Sequence, residues 1–390
     1  MAISSQDQLI QALSNGQFWR ADWSKNFNPT AAAVAAEAHL LARGAGNPPA
    51  DAIFDAGTNL TFQAVKDTTS SASSILHGGD VQSLGYTKHL VGASAFTVAA
   101  TTAPCILALI DIVGFYRVTS VTTTTAQSTT NTLSQSDTFT ADASTDVCTW
   151  TSTANIPSNI LTGTRVRLTT SGTLPAGLAT ATDYYVIRIS NSTFELASSY
   201  ANSIAGTQIN ITDAGTGTHT VTWLLPRYTN GAGLNAMFFN PAATALGAAT
   251  PNLSLGYTNA TGSSSRATPT VLPVGKTAAS NSHILYSGGS AAGKYIYAVP
   301  RQGSDTGYAQ IDTIQNSTSY VSGSYSVALF KELTRVPITT SGIPGERNLL
   351  NEIPSLPRIY DGAALYWVVL SSTTTPANAS FSGSLDFVWN

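Results

Sequence analysis

From about residue 50 to its last residue this chain is written largely in a period of two, and that alternation fixes its fold class. The end of the chain is the clearest case. Phe381, Gly383, Leu385, Phe387 and Trp389 fall on one face of a strand, and Ser382, Ser384 and Asp386 on the other. Further strands are expected over 106–118, 253–257, 294–299, 320–330 and 363–370. Pro300, Pro337, Pro344, Pro354 and Pro357 break up the regions among and after them. Helix signals are few and lie mainly at the front. Ser5 and Gln8 are spaced as a capping box before the stripe Leu9, Ile10, Leu13, which Gly16 ends. Thr30 is placed to cap an alanine-rich helix over 31–43, with Gly44 as its C′ residue and Pro48-Pro49 barring continuation.

Residues 134–223 have a grammar of their own, after the low-complexity run Thr122-Thr123-Thr124-Thr125-Ala126-Gln127-Ser128-Thr129-Thr130. Val166 and Leu168 alternate with Arg165 and Arg167, and Tyr185, Ile187 and Ile189 with Tyr184, Val186 and Arg188. An Asn191-Ser192 turn leads into Phe194 and Leu196. Ile209 and Ile211 follow, then the turn Gly215-Thr216-Gly217, then Val221 and Trp223. About seven short strands in such a span read as a small sandwich-like unit. The expected architecture is therefore mainly β: a β-sandwich-like host domain with a short helical N-terminal part and an inserted small all-β domain. The host halves are 1–133 and 224–390, and the insert is 134–223.

Charge is scarce. Asp, Glu, Lys and Arg make up 10% of the chain, against about 25% in ordinary globular domains, and Ser plus Thr reach roughly a quarter. A net charge of −3 offers no basic footprint for phosphates, so no nucleic-acid partner is expected. The start of the chain lacks a basic segment followed by an apolar run. The most apolar stretch, 95–118, is interrupted by Thr101, Thr102, Pro104 and Asp111, so neither a secretion signal nor a membrane partner is expected. Cys105 and Cys148 read as two inert buried thiols. A surface of hydroxyls and amides is cheap to desolvate against a neighbour, which points to assembly.

Motifs for chemistry fail their context tests. His39, His77, His89, His219 and His283 show no ligand-pair spacing, and the cysteines are not CxxC. Gly288-Gly289-Ser290-Ala291-Ala292-Gly293 reads as a turn, and Gly215-Thr216-Gly217-Thr218-His219 is followed by a strand where a phosphate loop needs a helix. Asp111, Asp305, Asp312, Glu332, Glu346, Glu352 and Asp361 are scattered without a spacing that selects a catalytic pair. No catalytic, cofactor-binding or metal-binding residue is expected, and the chain is read as no enzyme.

The insert resembles a module of tailed-bacteriophage virion proteins. The similarity runs through Gly163-Thr164-Arg165-Val166-Arg167-Leu168-Thr169-Thr170-Ser171-Gly172-Thr173-Leu174-Pro175-Ala176-Gly177-Leu178, through Asp183-Tyr184-Tyr185-Val186-Ile187 and Ser192-Thr193-Phe194-Glu195-Leu196-Ala197, and through 205–221. Gln8-Leu9-Ile10-Gln11-Ala12-Leu13, Gly256-Tyr257-Thr258-Asn259 and Leu356-Pro357-Arg358-Ile359-Tyr360-Asp361-Gly362-Ala363 are similar to uncharacterised phage structural proteins. The resemblance implies an all-β accessory protein of the virion, made in the host cytoplasm. A main shell protein would be expected to show a long central helix and a charged extended arm, neither of which is legible here. The leading expectation is a capsid cement or decoration protein on the capsid surface, a homotrimer bound to the major capsid protein through anchors such as Phe18, Trp19 and Trp23. The rival expectation is a tail or fibre protein that binds a host-surface glycan through Tyr184, Trp150 and Asn191. A third, a capsid-bound hydrolase, needs a cleft that gathers two of the scattered carboxylates.

Overall fold

The strand Cys105–Val118 organises the molecule. Its sequence, CILALIDIVGFYRV, is almost continuously apolar, and all but two of its side chains are buried. A run of this kind belongs between two layers. Along one edge it pairs antiparallel with Tyr325–Ile338, and along the other with Leu365–Ser371 and then Phe62–Ala64. The computed structural model describes residues 3, 5–27, 37–67, 74–79, 81, 84, 86–131, 136–151, 155–156, 160–223, 225–242, 245–247, 251–268, 272–273, 283–285, 297–372, 375 and 379–390.

Two layers share this strand. Leu107 and Leu109 face a front sheet ordered Gly345–Asn348, Lys88–Thr97, Ser380–Trp389, Phe18–Asn26, Gly46–Asn47. Across that interface they meet Trp23, Leu90, Ala93, Phe381, Leu385 and Phe387. Ala108, Ile110 and Ile112 face the other way. There the hydrogen-bonded path runs from Tyr325–Ile338 through Asn235–Asn240, His283–Ile284, Ala38–Leu40 and Leu365–Ser371 back to Cys105–Val118. The second layer thus curls into a ring, packed inside by Phe54, Phe115, Phe239, Tyr366 and their neighbours. The protein is mainly β with few helices, as the alternation predicts.

The terminal strand follows its pattern as far as a register shift between Asp386 and Phe387, after which Val388 is buried as well. The expected 320–330 strand starts only at Tyr325, because Val321 and Gly323 take positive φ and turn the chain first. Of the expected 294–299 strand, 294–296 lie outside the described residues and 297–299 are not strand. The loop 288–293 also lies outside them.

The front helix forms over Gln6–Ser14, with the Ser5 Oγ accepting from the Gln8 N–H at 3.3 Å. Its inner face is Ala12 and part of Leu9, whereas Ile10 and Leu13 stay in solvent. The helix expected over 31–43 is a correction. Residues 31–36 lie outside the described set, and Ala38–Leu40 is a strand between His283–Ile284 and Leu365–Ser371. The ring requires a strand there, and closing it outweighs alanine's helix propensity. Gly44 is needed for another reason than a helix cap: a Cβ there would lie 1.7 Å from the Asn26 carbonyl oxygen.

Strands from 136 to 223 form a closed six-stranded barrel, not a sandwich. Its order is Arg165–Thr170, Asp183–Arg188, Thr193–Ala197, Cys148–Trp150, Ser136–Ala141, His219–Trp223. His219–Trp223 closes it by pairing with both Arg165–Thr170 and Ser136–Ala141. The expected Ile209/Ile211 strand is instead an irregular segment, pinned where the Ile211 N–H donates to Asp146 Oδ1 at 2.6 Å. Val166, Leu168, Tyr184, Val186, Phe194, Val221 and Trp223 are among the side chains of its core. Cys148 here and Cys105 in the host are buried free thiols, which burial pushes up to about 12. On the host side, Arg165 donates to Gln310 and Tyr185 abuts Gly262.

Just after the barrel, Arg227 returns to the central strand. Its Nε and Nη2 clasp the Asp111 carboxylate at 2.8 and 2.5 Å, and it also donates to the carbonyls of Val65 and Ile112. Asp111 further accepts from Tyr228 Oη and from the Ala364 N–H. Both charged side chains are essentially without solvent exposure. Burial works against the guanidinium's charge, but the adjacent carboxylate more than offsets it and Arg227 is held above its usual value.

Two outcomes follow from this arrangement. Arg227→Met leaves a buried carboxylate uncompensated and is expected to cost about 3–5 kcal/mol in denaturant unfolding, more than replacing both partners together. The second concerns the barrel. Thr222 lies opposite Ser136 in register, so the chain enters and leaves the barrel at one place. Replacing 136–222 by a short Gly/Ser linker is therefore expected to leave a folded host, read as a single cooperative transition with the parent's Asp111–Arg227 contacts in NMR.

Candidate functional site

The three anchor residues lie on one strand, Phe18–Asn26, whose side chains alternate between solvent and core. Trp23 is a correction: at 2% exposure it packs in the protein's own core, its ring 5.0 Å from that of Trp367, and it offers nothing to a partner. Trp19 points to the same side but lies beyond the covering layer, and it is 44% exposed. Phe18, at 37%, is on the outer face.

Trp19 borders a cleft of about 470 Å³, lined among others by Asp22, Asn47, Pro49, Ser74 and Leu76. One wall is the edge of the strand itself. Gly46–Asn47 pairs only with Ser24 and Lys25, so along 18–22 that edge has no partner strand among the described residues. The Asn47 side-chain amide donates to the Asp22 carbonyl at 3.0 Å. Arg20 is engaged in a two-point pair with Asp386 at 2.7 and 2.9 Å. Ser74 is 3% exposed, and its hydroxyl meets no hydrogen-bond partner among the described residues.

The walls are rigid for visible reasons. Lys25 is buried beneath the 42–49 turn, donating to the carbonyls of Ala42, Gly44 and Pro49 at 3.2, 3.1 and 2.8 Å. Desolvation lowers its ammonium to about 8. Gly78 packs closely on Trp19: a Cβ there would lie 2.8 Å from the Trp19 Cβ and Cγ. The Gly78 segment is stapled from beneath. The fully buried Lys88 Nζ contacts His77 Nδ1 at 3.0 Å and bonds the Gly79 carbonyl, and His77 Nε2 lies 3.1 Å from Asp67 Oδ2. This last contact is an ion-pair distance without hydrogen-bond alignment. Neither Lys88 nor Asp67 carries a sequence signal, because the three residues meet only in the fold.

Of the seven carboxylates considered for hydrolysis, Glu346 is exposed on the strand Gly345–Asn348, and the other six are engaged within the protein. Asp111 holds Arg227, Asp305 holds Arg266, Glu332 holds Arg335 and Glu352 holds Arg347. Asp312 accepts from Thr258 and Gln310, and Asp361 from the Val81 N–H. Among the described residues no three His, Cys, Asp or Glu are grouped to hold a metal ion. No helix among them is long and apolar enough to cross a membrane. The aromatics considered for a glycan, Tyr184 and Trp150, are buried in the barrel core, with only Asn191 exposed.

No family model matches the chain, and no curated protein matches it. Among solved structures, the infectious bursal disease virus VP2 subviral particle aligns over 78% of this chain and 80% of that chain, at 9% identity and a TM-score of 0.12. Particles of T=1 geometry derived from the same virus align over 78% of each chain, at 10% identity and a TM-score of 0.13. Likeness this slight carries no argument about fold or function.

The layer between the ring and the front sheet supplies a pH-dependent element. His39 is fully buried against Phe27, with Glu37 at 3.9 Å, and burial lowers its imidazole to about 3. The unfolded chain takes up this proton below about pH 6.5 and the folded one only near pH 3, so the unfolded state binds more protons in between. Stability from this residue is complete above that window and is lost as pH falls through it. Between pH 7 and 5 the loss is expected to be about 2 kcal/mol larger in the wild type than in His39→Phe, measured by urea unfolding.

Proposed function

We propose that this chain is a structural protein of a tailed-bacteriophage virion, a cement or decoration protein on the capsid surface that binds the major capsid protein and associates with itself, as a trimer. Its role on this reading is mechanical and not catalytic. The observation that carries it is where the exposed apolar side chains sit. Of the twelve large apolar side chains exposed among the described residues, seven (Ile10, Leu13, Phe18, Trp19, Leu76, Leu84 and Tyr86) come from two segments, 10–19 and 76–86, and the other five, Val98, Ile189, Ile204, Val321 and Ile343, are scattered. Those segments meet where Trp19 rests on Gly78. Apolar surface concentrated in two adjoining segments of a charge-poor molecule has the composition of an interface core. The similarity of 163–221 to phage virion modules supports the same reading.

Cementing works by mass action. A protein that binds the assembled lattice and not its free subunits stabilises the lattice by about 2.7 kcal/mol per site at a hundredfold excess over Kd. Heads that carry the protein are expected to dissociate at a higher temperature than heads without it, followed by light scattering. A reconstruction of the particle is expected to show its density over capsid faces or three-fold positions. An unchanged heat transition, or density confined to the neck or tail, sinks the proposal.

A further inference from the structure

We propose that the cleft beside Trp19 is a binding site for a neutral carbohydrate, a short oligosaccharide stacked on the indole. The site belongs to the free chain, in which neither a capsid protein nor a second copy covers Trp19.

The size comes first. A cleft of about 470 Å³ lies within the roughly 300–1,000 Å³ range of small-ligand sites. The chemistry of its lining is the second point. A pyranose has an apolar face of C–H groups and a rim of hydroxyls that both donate and accept. It is matched by a flat aromatic surface ringed by short polar groups of mixed type. Trp19 supplies the surface, and the Gly78 backbone behind it holds the ring in place. Asp22, Asn47 and Ser74 supply an acceptor, an amide and a hydroxyl. Ser74 is the independent pointer to a ligand. Its hydroxyl is buried in the lining with no partner among the described residues, and leaving such a group unbonded costs about 1–3 kcal/mol.

Charge decides the class of sugar. Arg20, the one cation of the lining, is already matched by Asp386 at two points, so no unpaired positive charge awaits a sialic acid or a phosphate. Asp22 would repel one. The unpaired strand edge also invites the addition of an extended peptide. Against that, the Asn47 side chain already occupies the Asp22 carbonyl. Pro48 and Pro49, which have no N–H to offer, stand where an added strand would continue.

The test uses the full-length chain and saturation-transfer NMR with lactose, maltose and diacetylchitobiose, backed by an array of neutral glycans, with sialyllactose as the anionic probe. Transfer to ring C–H protons of a neutral sugar is expected, with affinity reduced at least about tenfold in Trp19→Ala, less in Trp19→Phe, and unchanged in Ile343→Ala, which alters a distant exposed residue. Should Trp19→Ala fail to fold, Trp19→Phe and Asp22→Ala decide, since both must weaken binding. The proposal is overturned if no neutral glycan binds, if binding survives these substitutions intact, or if sialyllactose is preferred.

Discussion

The buried pair of Asp111 and Arg227 is the constraint around which the molecule is arranged. A carboxylate in the middle of an apolar strand would be intolerable alone. Here it accepts from a guanidinium, a phenol and a backbone N–H, and those donors come from two separate stretches of chain, 227–228 and 364. Arg227 reaches further, to the carbonyls of Val65 and Ile112. One charge pair thereby ties the central strand to the segment before it, to the chain leaving the barrel, and to the start of Leu365–Ser371. Hydrophobic burial alone would accept several registers of so apolar a strand. A desolvated pair with every bond met accepts one.

Much of the architecture was written in the sequence where one physical cause acts alone. The terminal strand, the central strand and the Ser5 cap each rest on a local pattern, and each is found in place. The failures arise where a distant partner overrides the pattern. Ala38–Leu40 has the composition of a helix but fills a gap between two strands. Ile209 and Ile211 alternate as in a strand, yet closure of the barrel needs only the six strands that pair around it. A sandwich and a barrel share the same alternation, and strand order, which distinguishes them, is not a local property.

The cleft was only partly legible. Exposed aromatics near the N-terminus mark its neighbourhood, but nothing in the sequence separates Trp19 from Trp23, four residues apart on the same face of one strand. The covering layer reaches one and stops short of the other. The groups that stiffen the walls, Lys25 under its turn and Lys88 with His77 and Asp67, are charged residues that composition would assign to the surface. Their burial is legible only when the carbonyls and the imidazole they serve have been brought to them.

The single place of entry and exit makes the barrel a lever. Its two ends meet at Ser136 and Thr222, so a force on its far rim reaches the host as a torque about that junction. Rotation is resisted by the seam where Arg165 meets Gln310 and Tyr185 meets Gly262, and by an apolar cluster that runs from the barrel into the host. A buried guanidinium bonded across such a seam yields abruptly, since partial sliding breaks its bonds before water can replace them. The barrel is thus mounted as a stiff outrigger at small loads, and as a swivelling one once that seam parts.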